Sequence, residues 1–177
     1  MRNLKFFASF FAIFAFSLAV SWARPVSFGL LQHDFSSTEV RSSTYIMENS
    51  LLDYFFDRGY VVTNEPAFVS SGEADDQKFL KTSLEDLREG GAEYFFLLSL
   101  NYDTQNSANP EGDLLSNLSS VDWKLYKVLD GLLVDSGEKT TGRVPYEINN
   151  ANGIADFSYE LAIQMVRAMK NESSRKD

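Results

Sequence analysis

From Val26 onward the apolar positions follow two periods, and each change of period marks an element. Val26-Ser27-Phe28-Gly29-Leu30-Leu31 is a short apolar run without helix caps, which predicts a strand ending near Phe35. Ser36 and Glu39 then stand at the capping-box spacing, so a helix is expected from Thr38 or Ser43 to Arg58. Met47, Leu51 and Phe55 form its apolar stripe, with Leu52 and Phe56 widening it, and Gly59 stops it. Tyr60-Val61-Val62-Thr63 reads as a second strand. Residues 64–76 are polar, hold Pro66 and Gly72, and read as a loop. Leu80, Leu84 and Leu87 predict a helix over 76–89 that stops at Gly90-Gly91. Tyr94 to Leu100 is a continuous apolar run, as in a strand covered on both faces.

The second half changes character. Residues 103–117 are polar, with Pro110 and Gly112, and predict a long loop. Val121, Trp123 and Leu125 alternate with Asp122, Lys124 and Tyr126, the period of a half-buried strand. Asp130-Gly131 is a hairpin signal, and Leu132 opens a return strand that continues to Thr141. Ile154, Phe157, Leu161, Met165 and Met169 share one side of a last helix over 153–170, and residues 171–177 read as a flexible polar tail. The order β-α-β-α-β-β-β-α predicts an α/β (α+β) fold. It is a mixed sheet with helices packed on it, forming a single domain over 24–170.

Residues 1–23 form a separate unit. Arg2 and Lys5 precede an uncharged run from Phe6 to Val20, and Ser21-Trp22-Ala23 offers small residues where a signal peptidase reads them. The run is about 15 residues, short of the roughly 20 that span a bilayer. A secretory signal peptide cleaved after Ala23 is expected, leaving no stable membrane span; an uncleaved anchor is the alternative. Removing it leaves 14 basic and 25 acidic side chains, a formal charge of −11 against −9 for the whole chain. That charge excludes a basic nucleic-acid-binding face. The chain has no cysteine, which excludes disulfides, thiolate metal sites and a cysteine nucleophile. An exported chain without disulfides points to a bacterial periplasm.

The order of motifs is similar to a known group. A helix closes in Asp57-Arg58-Gly59-Tyr60-Val61-Val62, and Gly91-Ala92-Glu93-Tyr94 opens an apolar strand. Trp123-Lys124-Leu125-Tyr126 leads through Asp130-Gly131 to Ser136-Gly137-Glu138. Over residues 26–169 this resembles the periplasmic α/β domain shared by CsgG, LpoB and the amino-terminal domain of TolB. The resemblance implies a small, non-catalytic envelope domain that contacts other proteins. The amino-terminal cysteine that anchors the lipoproteins of that group is absent here, so a soluble periplasmic form is expected.

Chemical candidates are few. His33, the only histidine, adjoins Asp34, but neighbours on a strand point to opposite faces, so Asp34 would not orient it. One histidine and no cysteine make a poor zinc site. Glu73, Asp75 and Asp76 lack calcium-loop spacing and read as a solvated loop. Gly90-Gly91 lies at a helix end, where the dipole repels anions. No catalytic, cofactor-binding or metal-ligating residue is expected. The expected contacts with an envelope protein partner fall on Tyr102, Tyr126, Tyr146 and Asp130, with Tyr126 exposed opposite Trp123. The second reading is a periplasmic binder of a small ligand or glycan. The sequence carries no signature of oligomeric state.

Overall fold

A computed structural model describes residues 25–174, and among these it shows six strands, three α-helices and two short 3-10 turns. The expected signal peptide lies outside the described residues. The strands are β1 (Pro25–His33), β2 (Val61–Asn64), β3 (Phe68–Ser70), β4 (Tyr94–Tyr102), β5 (Leu118–Lys127) and β6 (Leu132–Thr140). The helices are α1 (Ser42–Phe56), α2 (Glu73–Gly90) and α3 (Ala151–Ser174). The sheet order is β2-β1-β4-β5-β6, and β3 also pairs with β1. β1 is parallel to β2, β3 and β4, whereas β5 pairs antiparallel with both β4 and β6. This is the mixed sheet that the pattern predicts. None of the described helices is long and apolar enough to cross a membrane.

Alternation sorts the side chains between two unequal faces. Val26, Phe28 and Leu30 of β1, Phe96, Leu98 and Leu100 of β4, and Val121, Trp123 and Leu125 of β5 pack with α1 and α3 in the larger core. Met47, Leu51 and Phe55 supply α1's contribution, and the five predicted apolar residues of α3 supply its own. Aromatic rings dominate the centre: Phe28 stacks on Phe96 at 5.7 Å, and Phe55 meets Phe28 edge-on at 4.9 Å. Such contacts add to plain area burial. The other face carries a smaller cluster under α2: Leu31, Phe95, Leu97, Tyr126 and Val128, against Leu87 with Phe79, Leu80 and Leu84. Past Leu97 the amino-terminal turn of α2 stays beside β1, where Asp76 meets His33, and the β4–β5 part of the face opens to solvent. That face turns polar there, with Ser99, Asn101, Asp122, Lys124, Ser136 and Glu138 lining an open groove beside His33.

Several expectations need correction. Residues 64–76 are not all loop: β3 lies inside them and takes over the edge of β1 where β2 stops, pairing Leu31, Gln32 and His33. Glu73, Asp75 and Asp76 occupy the first turn of α2, where they favour the positive end of the helix dipole. The Ser36–Glu39 capping box does not form. α1 starts at Ser42 behind Arg41, with no side-chain cap, because Ser36 is engaged by Asp34 and Arg41. Phe56 is exposed rather than part of the α1 stripe. The last helix continues past Lys170 to Ser174, and Glu172 is buried against Lys127 of β5.

Candidate functional site

The chain leaves β1 in one direction, through α1 to β2, and returns from β3 through α2 to β4 on the far side of β1. In open parallel sheets, the crevice where the winding reverses lies outside the carboxyl ends of the strands and is the usual place for a ligand. Here it falls between the ends of β1 and β4, bounded by residues 34–41 and 103–117.

That crevice is partly filled from within, which leaves a cavity of about 220 Å³ lined by residues such as His33, Phe35, Ser70 and Tyr102. Gln32 is fully buried; its Oε1 accepts from Arg41 N and from Thr44 Oγ1, each at 2.8 Å, and its Nε2 donates to Glu39 O at 3.0 Å. These bonds fold residues 34–41 back over the strand end. Arg41 then lies across the opening. Its Nε pairs with Asp34, Nη1 donates to Pro110 O at 2.6 Å, and Nη2 donates to Ser36 Oγ at 3.1 Å. Its guanidinium also lies 5.4 Å from the centroid of the Tyr102 ring. Burial pushes the Asp34 carboxyl up, but hydrogen bonds from Arg41 and Ser36 and the Arg41 charge outweigh it and hold Asp34 below the usual carboxylate range. Burial also pushes the Tyr102 phenol up, opposed by its bonds to Ser43 and Thr44 at 2.9 Å. The arginine that could grip an anion therefore spends its donors inside the fold.

The loop over 103–117 is equally fixed. Asn117 is buried, and its Nδ2 donates to the carbonyls of Asn109, Pro110 and Gly112 at 3.0–3.2 Å. Ser36 Oγ meets Thr104 Oγ1 at 3.0 Å and joins the two loops. Asn149 Oδ1 accepts from Ser116 N at 2.8 Å and ties in residues 142–150. A groove of about 510 Å³ runs between these segments, lined by hydroxyls and amides such as Ser107, Ser116, Ser119, Thr140 and Asn149. On this stiff platform Phe35 is fully exposed, at 103%, and Tyr146 is 91% exposed.

The sequence-selected residues do not gather in one place. Tyr102 lies at the crevice but is held in the Arg41 network. Tyr146 stands in the open at the same end of the sheet. Tyr126 is only 8% exposed, because the face opposite Trp123 is covered by α2; the expectation of an exposed ring is corrected. Asp130 belongs to the opposite end: β5 passes Tyr102 at Leu118 and Tyr94 at Lys127, so the hairpin turn lies a strand length, roughly 27 Å, away. His33 and Asp34 take separate partners, as their positions predict. His33 Nε2 meets Asp76 Oδ1 at 3.0 Å, and Ser70 Oγ donates to the same oxygen. The carboxylate thus sits between hydroxyl and imidazole, and no histidine nitrogen is bonded to the serine. Phe35 and Arg41 escaped the sequence reading. Phe35 looks like the last residue of a strand, and Arg41 lies in a region without periodicity.

A family model described as "Uncharacterised protein" matches residues 25–142. No curated protein matches the chain. Among solved structures, the chain is similar to a PelC dodecamer from Paraburkholderia phytofirmans, with 14% identity, 79% of this chain and 86% of that one covered, and a TM-score of 0.48. It is similar to TolB from Acinetobacter baumannii, with 11% identity, 85% of this chain and 29% of that one covered, and a TM-score of 0.44. It is also similar to the LpoB C-terminal domain from Salmonella enterica, with 11% identity, 71% and 87% coverage, and a TM-score of 0.38. At identities this low, the likenesses say nothing of what this chain binds.

Proposed function

The chain belongs to that family of uncharacterised proteins, and on that premise we propose that it is an exported, non-enzymatic bacterial envelope protein that holds a partner protein at the closed crevice. The observation that carries this reading is Phe35, a wholly exposed aromatic ring on a loop fixed by Gln32, Arg41 and Ser36. Exposed aromatics on rigid supports are the usual anchors of protein interfaces, because little freedom is lost when they are covered. Arg41 lies across the crevice, and the cavity beside it measures about 220 Å³. Tyr146 extends the same surface across the hydroxyl-lined groove.

The test is capture from envelope extracts by the exported protein, with a crosslinker, beside a Phe35→Ala/Tyr146→Ala variant. A reproducible partner, lost from the variant while its melting temperature is unchanged, is the expected result. Equal capture by both forms, or none by either, overturns the reading.

The groove over 103–119 and 140–149 favours a second reading, a neutral polyhydroxylated ligand such as a glycan. Thermal-shift measurements with cell-wall fragments separate the two readings, because a ligand of the native state raises its stability.

A further inference from the structure

We propose that the partner held at the crevice end presents an apolar socket rimmed by basic side chains. The inference rests on the partner-holding reading above and names the chemistry of that partner. Phe35 is the knob. Its ring is 103% exposed, and the residue after it is fixed: Ser36 N donates to Asp34 Oδ1 at 2.9 Å, and Ser36 Oγ meets Thr104 Oγ1 at 3.0 Å. A ring that stands clear of its own surface on a fixed support is buried by a pocket on the other side, and aromatic anchors of this kind carry much of an interface's energy.

What frames the ring sets the sign of the rim. The Ser36–Thr104 bond brings Asp103 beside the Phe35 loop. Gln32 Nε2, donating to Glu39 O at 3.0 Å, holds Glu39 at the far side of the same loop. Arg41 Nη1 reaches Pro110 O at 2.6 Å and lies 3.9 Å from the carboxylate of Glu111, a side chain that is 80% exposed. Residues 34–41, 103–117 and 141–150 together hold Asp34, Glu39, Asp103, Glu111, Asp113 and Glu147 against Arg41 and Arg143, a formal balance of −4. The Arg41 charge is already answered inside the fold by Asp34. Glu39 and Asp103 are exposed, and neither forms an ion pair among the described residues. Neither lies in a helix, so the dipole that accounts for Glu73, Asp75 and Asp76 in the first turn of α2 does not account for them. Carboxylates held this way repel one another, and a basic rim removes that cost while steering the partner in. The opposite end of the sheet mixes its signs, with Arg58 after α1, Arg88 in the last turn of α2 and Lys127 at the end of β5.

The test places a photocrosslinker on the knob itself, as Phe35→p-benzoylphenylalanine in the full chain. Crosslinking in envelope extracts is read at about 0.05 M and about 0.5 M salt, between which the screening length falls from roughly 14 Å to roughly 4 Å. It is read again with Glu39→Gln/Asp103→Asn and with Glu39→Lys/Asp103→Lys, beside the melting temperature of each form. The Asp103→Asn change keeps the Oδ1 acceptor that Gln105 N meets at 3.2 Å. The expected result is a crosslink to one protein that is several-fold weaker at high salt, several-fold weaker in the neutral variant and lost in the reversed one, at unchanged melting temperature. Equal yield at both salts and in all three backgrounds overturns the basic rim and leaves the partner-holding reading standing. No crosslink from the parent at either salt overturns both. A crosslink to a second copy of this chain overturns the proposal, because that copy's own crevice end carries the same sign.

Discussion

Asp34 and Arg41 show 2% and 6% of their side chains to solvent, so neither charge has water to fall back on. Removing one partner of such a pair strands the other, which typically costs about 3–5 kcal/mol. Asp34→Asn is expected to lose stability of that order in denaturant titrations at neutral pH. The pH dependence has a definite sign. The folded carboxyl is held below its ordinary range, so the stability from the pair is complete above the unfolded value of about 3.9 and is lost as pH falls through the lower folded value. Acid titration of the Asn variant should therefore show a shallower decline below about pH 4 than the parent. Tyr126 gives a second measurement. As a ring packed beneath α2 rather than a contact residue, Tyr126→Ala should cost about 3 kcal/mol and leave partner capture by the folded fraction unchanged.

Among the elements, β6 and β5 meet closely at Gly137 and Trp123. A Cβ built on Gly137 would come 2.7 Å from Trp123 Cζ2 and 2.8 Å from Nε1. The indole lies directly on the glycine, a use of glycine that strands reserve for close approach. Gly137→Val should lower stability by about 1–3 kcal/mol through overpacking, and the near-ultraviolet circular dichroism of the indole should change with it. The elements themselves were largely readable, because β1, β4, α1 and α3 have strong apolar periods. β3 was not, since its three residues sit between Pro66 and Gly72 in a polar stretch. The last turn of α3 was hidden for a different reason: Glu172 is charged, and only the fold brings Lys127 to it. Alternation placed Tyr126 on the correct face. It could not say that α2 covers that half of the face and leaves the half with Asn101 and Asp122 open. The candidate site was less legible than the fold, because Gln32, Arg41 and Pro110 meet only through tertiary structure.

At the scale of the whole molecule, the two ends of the sheet differ in kind. One end carries hydrogen-bonded loops topped by Phe35 and Tyr146; the other carries the turn between β5 and β6 and the entry of the chain into β1. Export should leave a product whose first residue is Arg24, as read by amino-terminal sequencing of protein recovered from the periplasm. A first residue of Met1 would assign residues 1–23 to a retained anchor.

β1 lies inside the sheet, bonded to β2 and β3 along one edge and to β4 along the other over eight residue pairs from Val26 to His33. A pull on the chain at Pro25, resisted by a grip on the loops at the far end, runs along these strands rather than across them. It loads the β1–β4 bonds in shear, so many must give way together instead of unzipping one at a time. The arrangement gives the domain the mechanical character of a tie rod, suited to carrying tension between whatever holds its two ends.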